Sequence, residues 1–317
     1  MNNKLKRELK DFIDNSIGIS IYLIDENNQY FTADLKNEDL DESLKQLLKS
    51  IKSKYTNNES FTIPYLSNYD ERNNALYLFD FDEKPKEFEL TEEITKIKAN
   101  KPIPPYEARD NKLKSLKASV IVIKDRTGRK AAFYQQIYNV TLVSSESGFL
   151  NLTTHKTRIV KLNNDVIRLS SNFVFVKFGE QYLIENIKTL ENQLDFKDVI
   201  HARAENYLED IINMNFTDNH DIMIEKVKEE TAFARKVVKV CKHSAVIEQK
   251  IPTEKLIKFV KENEHYSDSF KFNDDETLFN LNSIIRSKRF LDLLDDDFLS
   301  SKLTNRDYIA KSKDRVN

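Results

Sequence analysis

The order of its sequence patterns is what most constrains the fold of this chain, because a series of short β-rich runs is followed by a long helical region. The runs lie between residues 117 and 186 and are separated by tight polar connectors such as residues 125–128. After Asn186, apolar residues recur every three or four positions. Strands that precede helices favour an α+β fold over an alternating parallel sheet, and the runs themselves predict an antiparallel β-meander.

Upstream of the meander, the periodicity predicts a small α/β arrangement. The expected elements are a helix over 4–14, a hairpin over 18–35, a helix over 37–55, a strand over 75–81 and a helix over 91–99. Downstream, helices are expected over 187–195, 197–213, 220–242 and 253–264, with further helical faces near the end that include Leu278, Leu281, Ile284 and Ile285.

Three of the six prolines, at positions 102, 104 and 105, fall in one short stretch. Proline cannot continue a helix or occupy a central strand, so residues 100–111 are predicted to be a linker. With 317 residues, the chain is long enough for two domains. We therefore expect an N-terminal α/β domain over 1–105, then a domain over 106–317 in which the meander packs with the C-terminal helices.

Composition places the chain among globular proteins with a polar surface, since 39% of residues are hydrophobic and 32% are charged. Trp is absent, and 20 Phe and 13 Tyr supply the aromatic core material. No apolar run approaches the roughly 20 residues that span a bilayer, so a cytoplasmic protein without direct membrane insertion is expected. Cys241 is the single cysteine and is expected to be a packed thiol.

Charge is strongly segregated along the sequence. Residues 112–177 contain twelve Lys and Arg against three acids, although the whole chain has 50 bases and 52 acids. A basic block in an otherwise acidic protein is typical of a polyanion-binding surface, because clustered cations bind phosphates and release their counterions. A solvated sheet face gives the same pattern, so both interpretations stay open here.

Two groups of cations are the candidate DNA contacts. The first surrounds hairpin ends of the basic block, and the second lies on the predicted helix 220–242, whose C-terminal cations also complement the helix dipole. The candidates are Lys124, Arg126, Arg129, Lys130, Lys156, Arg158, Lys161, Arg235, Lys236 and Lys239.

Several kinds of catalytic site are excluded or weakly supported. The chain has only four glycines, each in a different connector, so Walker and dinucleotide-binding loops are excluded. His201 and Glu205 lie four residues apart and could share a metal or a proton, but such pairs often arise by chance and a surface hydrogen bond is the favoured explanation. Asp70, Asp82 and Lys84 loosely fit the acid and acid-x-Lys pattern of a metal-dependent nuclease. No cofactor is predicted, and a non-enzymatic protein is favoured.

Two segments resemble the KwaB family of the Kiwa bacterial antiphage defence system. One is NFVFVKFGEQYLIENIKTLENQLDF at 172–196, and the other is LLDDDFLSSKLTNRDYIAKSKDRV at 293–316. The resemblance covers the chain from about residue 117 to the end. It implies a defence protein that binds DNA with little sequence preference and hinders phage replication. It further implies a homodimer or higher homo-oligomer that a KwaA-type membrane protein recruits to the inner membrane.

Three hypotheses follow from the residues and the resemblance together. The leading one is a DNA-binding antiphage effector that binds DNA phosphates through the ten candidate cations. The alternatives are a metal-dependent nuclease and a non-catalytic protein-interaction module whose acidic regions dock a basic partner.

Overall fold

The computed structural model describes residues 2–97, 103–107, 113–138, 142–143, 152–155, 158–161, 166–301, 303–304 and 307–310. These residues form an α+β fold whose main sheet has seven antiparallel strands, which confirms the predicted fold class. The chain divides into two compact units. The first comprises 1–64, 74–79 and 84–190, and the second comprises 65–73, 80–83 and 191–317.

The first unit holds the seven-stranded sheet, in the order β2-β1-β4-β5-β10-β11-β3. Its strands are β1 (Ser16–Asp25), β2 (Tyr30–Thr32), β3 (Tyr77–Leu78), β4 (Leu116–Asp125), β5 (Lys130–Gln136), β10 (Phe175–Phe178) and β11 (Gln181–Ile184). Two small ladders lie in sequence between β5 and β10 and are formed by β6 (Leu142–Val143) with β9 (Val166–Ile167) and by β7 (Leu152–His155) with β8 (Arg158–Lys161).

Helices of the first unit pack on the sheet because its strands are apolar on both faces. These helices are α1 (Asn3–Asp14), α2 (Asn37–Ile51) and α3 (Lys86–Lys96). Ile121 and Ile123 of β4 belong to the same core cluster as Phe12 of α1 and Leu44 of α2. Alternate residues of a strand point to opposite faces of the sheet. Phe175 of β10 contacts Phe88 of α3, with the two ring centroids 4.6 Å apart.

The second unit is mainly helical. Helix α4 (Ile187–Gln193) leads into it, and it contains α5 (Phe196–Asn213), α6 (Asp221–Glu229), α7 (Thr231–His243), α8 (Ala245–Glu248), α9 (Thr253–Glu262), α10 (Glu264–Ser267) and α11 (Ile284–Leu294). A hairpin of β12 (Phe298–Ser300) and β13 (Asp307–Ile309) follows. Phe279 lies at the centre of an aromatic core, with its ring 5.1 Å from that of Phe290 and 5.8 Å from that of Phe270.

The division of the chain differs from the boundary predicted at residue 105. Strands β1, β2 and β3 precede that residue, yet they share one sheet with β4, β5, β10 and β11. β1 pairs with β4 along most of its length, from Ser16↔Asp125 to Asp25↔Leu116. Part of the predicted linker also pairs with the sheet, since the amide of Thr32 donates to the carbonyl of Pro104 at 3.0 Å. Pro104 and Tyr106 are therefore backbone neighbours of Thr32 in β2.

Three local predictions were wrong. The runs after residue 117 do not form a simple meander, because β5 pairs with β10 and the intervening strands pair among themselves. The helix predicted over 220–242 is interrupted at Glu230, whose backbone is extended (φ −114°, ψ 104°). The helical face predicted from Leu278 begins only at Ile284, since Phe279 forms backbone bridges instead.

Among the residues whose placement the structure describes, no helix is both long and apolar enough to cross a membrane.

Candidate DNA-binding surface and the charged cluster of the second unit

The first candidate site is the turn between β4 and β5, and one buried carboxylate organises it. The side chain of Asp125 has no solvent exposure. Its Oδ1 accepts hydrogen bonds from the amides of Thr127 and Arg129 at 2.9 Å and from the Thr127 hydroxyl at 2.8 Å. Gly128 takes the positive φ of 90° that the turn requires. The turn is therefore fixed by internal bonds, which leaves its cations at defined positions.

Electrostatics at this turn follow from the same contacts. Burial acts to raise the pKa of Asp125, but the hydrogen bonds from Arg129 and Thr127 outweigh it and hold that pKa below its ordinary value. Arg129 Nε donates to Asp125 Oδ2 at 2.7 Å, and its Nη2 donates to Asp11 Oδ2 at 2.6 Å. Arg129 is thus partly neutralised by two carboxylates and serves to hold the turn against α1.

The other three cations of the turn differ in their availability. Lys124 and Arg126 are exposed, and neither side chain has a hydrogen-bond or ion-pair partner in the described part of the chain. Lys130 is half-buried, and its ammonium donates to the carbonyl of Thr95 at 2.8 Å. That carbonyl belongs to the last turn of α3, where a cation is favourable. Lys124 and Arg126 are the two members of this group that can reach a ligand without breaking a contact.

The remaining candidates of the basic block, Lys156, Arg158 and Lys161, fall in the sequence between the end of β7 and the end of β8. Lys161 ends β8 and is exposed. Arg158 begins the same strand. Lys156 lies outside the described residues.

The second predicted group of cations, on α7, is engaged with carboxylates. Lys236 Nζ lies 2.7 Å from Asp295 Oδ2, 2.5 Å from Asp297 Oδ2 and 3.3 Å from Asp292 Oδ1. Lys239 Nζ lies 2.8 Å from the same oxygen of Asp295. The side chains of Asp295 and Asp297 are 4% and 0% exposed, so these are buried ion pairs that hold α7 to the end of α11.

Titration of this charged cluster reflects burial and pairing together. Burial acts to raise the pKa of Asp295, yet Lys236 and Lys239 outweigh it, so the net shift is downward. For Lys236, burial acts to lower the pKa and the carboxylates of Asp295 and Asp297 raise it above its ordinary value. Burial raises the pKa of Asp292, whose partners are more distant. The Lys236 ammonium and the Asp295 carboxylate therefore stabilise each other in their charged forms.

Two more α7 cations also have acidic partners. Arg235 donates to the buried carboxylate of Glu191, and its guanidinium carbon lies 5.3 Å from the ring centroid of Tyr69. Lys242 Nζ lies 2.9 Å from Asp80 Oδ2. The turn group belongs to the first unit and the α7 group to the second. That the α7 cations contact DNA stays a prediction, and such contact would compete with these pairs.

A serine-histidine-aspartate group lies at the end of α7, and no sequence motif pointed to it. The hydroxyl of Ser67 donates to Asp80 Oδ2 at 2.5 Å, so it accepts from His243 Nε2 at 2.8 Å. Ser67 is buried, and its proton points to the carboxylate and not to the imidazole. A nucleophilic triad needs the opposite arrangement, with the imidazole taking the serine proton. The group therefore fastens residues 65–73 to α7.

Contacts also account for the other residues that the sequence singled out. His201 Nδ1 donates to the carbonyl of Val227 at 2.5 Å and its Nε2 lies 3.0 Å from the Thr231 hydroxyl, so both ring nitrogens join α5 to α6 and α7. The half-buried Cys241 thiol donates to a carbonyl of α5, and burial raises its pKa to about 12. It is a packed thiol, as predicted.

The residues of the nuclease hypothesis are paired elsewhere. Asp70 lies 2.5 Å from Arg72, and Asp82 lies 2.7 Å from Arg203. The ammonium of Lys84, in the first unit, lies over the ring of Tyr182. Across the described ranges, no group of three His, Cys, Asp or Glu side chains is arranged to hold a metal ion. No observation favours this hypothesis over DNA binding without cleavage.

Comparison with known proteins gives two concordant matches. The model of the family described as "Kiwa protein KwaB-like" matches residues 113–304. A curated relative, the Kiwa protein KwaB of Escherichia coli O55:H7, is 31% identical over 320 aligned positions that cover 99% of this chain and 98% of the relative. No solved structure gave a significant match.

Proposed function

This chain belongs to the KwaB family of Kiwa antiphage defence proteins, and on that premise we propose that it is a defence effector that binds DNA with little sequence specificity. The observation that carries the proposal is the pair of exposed cations on the rigid β4–β5 turn. Lys124 and Arg126 project from a turn that Asp125 fixes internally, inside the most basic part of the sequence. The fixed backbone sets where both side chains begin, and their charged ends, unpaired within the described residues, are available to bind phosphates.

The chemistry of these side chains supports phosphate contact without base readout. A guanidinium and an ammonium at one turn can neutralise backbone phosphates, which carry no sequence information. Lys161, exposed at the end of β8, is a further phosphate ligand under this proposal. The α7 cations are ion-paired with buried acids, so we assign the primary contact to the turn and not to α7.

A double substitution tests the assignment. Lys124→Ala with Arg126→Ala is expected to weaken duplex binding about tenfold for every sequence and to reduce the slope of log affinity against log salt by about 2. Fluorescence anisotropy over a salt series measures both quantities. The matched control is Lys4→Ala with Lys45→Ala, which removes two exposed lysines of the same unit and should leave affinity and slope close to those of the unsubstituted protein. Equal effects of the two double variants would refute the assignment to the turn.

We also propose that the protein works as a homo-oligomer with a KwaA-type membrane protein, as membership of the family implies. The expected result is that the chain sediments with membranes when KwaA is co-expressed and stays in the supernatant when it is not. Fractionation of cells with and without KwaA measures this directly. An unchanged distribution between the fractions would contradict recruitment by that partner.

A further inference from the structure

The second unit contains a cavity of about 270 Å³ that the DNA-binding proposal does not use. It lies between residues 69–71 on one side and helices α7 and α11 on the other, and all of its lining residues belong to the second unit. Phe233 and Leu291 are buried in its wall, so part of the surface is apolar. Its volume lies just below the roughly 300 Å³ that marks the lower end of typical small-molecule sites.

Arg235 provides the first polar feature of the cavity. A guanidinium has five N–H donors, but in the described part of the chain Arg235 directs a hydrogen bond to Glu191 alone. Its remaining donors have no protein acceptor there, although its side chain is only 19% exposed. The guanidinium also lies over the Tyr69 ring at 5.3 Å. An arginine in this state can bind an anion that enters the cavity, and the adjacent ring is a surface for a planar group.

Lys288 of α11 is the second cation that can bind such an anion. Its side chain is 52% exposed, and its Nζ lies 3.0 Å from Glu230 Oε2, which is itself partly exposed. An ion pair of this kind contributes little to stability, so a phosphate can replace the carboxylate at small cost. Lys236 is not equivalent, because Asp295 and Asp297 hold it at 2.7 and 2.5 Å.

Asp292 supplies an acceptor in the same cavity. Its contacts are long, at 3.3 Å to Lys236 and 3.6 Å to Arg289, and its side chain is 21% exposed. Burial raises the pKa of this carboxyl, which shows that the lysine and arginine only partly compensate it. A donor group of a ligand would complete its hydrogen bonding. Carboxylates accept from the amino groups of nucleobases in this way.

These features together describe a site for one nucleotide. We propose that the cavity binds a nucleoside monophosphate, with the phosphate on Arg235 and Lys288, the base beside Tyr69 and an amino group of the base on Asp292. The volume admits one nucleotide and excludes a duplex. The same chemistry is offered by a free mononucleotide and by a 5′-phosphorylated terminal nucleotide of a single strand.

Isothermal titration of the full-length protein tests the proposal. The probes are dCMP, dTMP, deoxycytidine and inorganic phosphate. We expect dCMP to bind most tightly, because deoxycytidine lacks the phosphate, inorganic phosphate lacks the ring and dTMP lacks the amino group. Equal binding of dCMP and inorganic phosphate would overturn the assignment of a base site, and no binding of dCMP at millimolar concentration would overturn the whole proposal.

Substitutions locate the binding. Lys288→Ala is expected to weaken dCMP binding about fivefold to tenfold, as expected for loss of a charge-assisted contact. The matched control is Lys258→Ala on α9, which removes another exposed lysine from a surface ion pair and should leave binding unchanged. Both sites are exposed, so both variants should fold. Equal affinities in the two variants would place the ligand elsewhere and refute the site.

Competition distinguishes the two sources of the ligand. If the terminal nucleotide of a strand is the ligand, a 5′-phosphorylated single-stranded oligonucleotide displaces dCMP and its 5′-hydroxyl counterpart does not. If a free nucleotide is the ligand, neither oligonucleotide displaces it. Displacement by both in equal measure would mean that dCMP occupies a general phosphate surface, which contradicts the proposal.

Discussion

Replacing Lys236 with alanine should destabilise the second unit by about 3–5 kcal/mol at neutral pH. The reason is that Lys236 compensates Asp295 and Asp297, whose side chains are 4% and 0% exposed. Without the ammonium, Asp297 loses its ion pair with Lys236, and Asp295 loses one lysine partner while its ion pair with Lys239 stays, so buried negative charge is left with weaker compensation. Urea denaturation followed by circular dichroism measures the loss.

Lys226 offers a matched control for this substitution. Its ammonium also contacts three acids, Glu225, Glu229 and Glu230, but those carboxylates are 37–58% exposed. Lys226→Ala should therefore cost less than about 1 kcal/mol, since exposed ion pairs contribute little. Comparable losses in Lys226→Ala and Lys236→Ala would show that burial of the carboxylates does not set the energy of this cluster.

The effect of Lys236→Ala should also depend on pH, with a defined sign. The pKa of Asp295 is lower in the folded protein than in the unfolded chain, so its stabilising contribution is present above about pH 4, near the ordinary aspartate pKa, and disappears as pH falls through the folded value. In the variant, the raising effect of burial on the pKa of Asp295 is no longer opposed by Lys236, so this carboxyl binds a proton more readily in the folded protein. The destabilisation should therefore be larger at pH 7 than at pH 4.5, and an equal loss at both values would contradict this electrostatic account.

Replacing Asp125 with alanine is expected to cost about 3 kcal/mol, chiefly through hydrogen bonds to a charged acceptor that are then left unmade. The carboxylate accepts hydrogen bonds from the amides of Thr127 and Arg129, from the Thr127 hydroxyl and from the Arg129 guanidinium. Its loss removes the bonds that shape the β4–β5 turn. Thermal unfolding of the variant measures the change, and the affinity for DNA should fall with it because Lys124 and Arg126 lose their fixed positions.

The chain provides a control for Asp125 in the turn between β1 and β2. Asp25 Oδ1 accepts hydrogen bonds from the amides of Asn27 and Gln29 at 2.9 and 2.8 Å, in the same pattern of positions, but within the described residues Asp25 forms no ion pair with an arginine. Asp25→Ala should cost about 1–2 kcal/mol and leave DNA binding unchanged. A larger loss for Asp25→Ala than for Asp125→Ala would contradict the role given to Arg129.

Local periodicity was sufficient to predict the elements that depend on local contacts. Helices α1 and α2 and the β1–β2 hairpin form where predicted, because their apolar residues repeat with one clear period. Pairing between distant strands could not be predicted in this way. Pairing of β1 with β4 joins residues about 100 positions apart, and no local pattern records which strands become neighbours.

Charge counting along the sequence had a similar limit. It grouped the cations of α7 from their spacing, but the partners of Lys236, Asp295 and Asp297, lie more than 50 residues downstream. The acidic run at 295–297 is visible in the sequence, although its pairing with α7 is a tertiary contact. At the β4–β5 turn, the acceptor Asp125 is adjacent to the cations in the sequence, so the group is visible as a local pattern. Only the structure shows that Arg129 is paired with Asp125 while Lys124 and Arg126 are not.

The most direct test of the central claim is the affinity of the full-length protein for two unrelated DNA duplexes over a series of salt concentrations. Nonspecific phosphate binding predicts similar affinities for both duplexes. It also predicts that a plot of log affinity against log salt concentration has the same slope for both, about −0.9 for each phosphate contacted. Absence of binding at low salt, or an affinity that does not change with salt, would contradict the claim that exposed cations of the turn bind the DNA backbone.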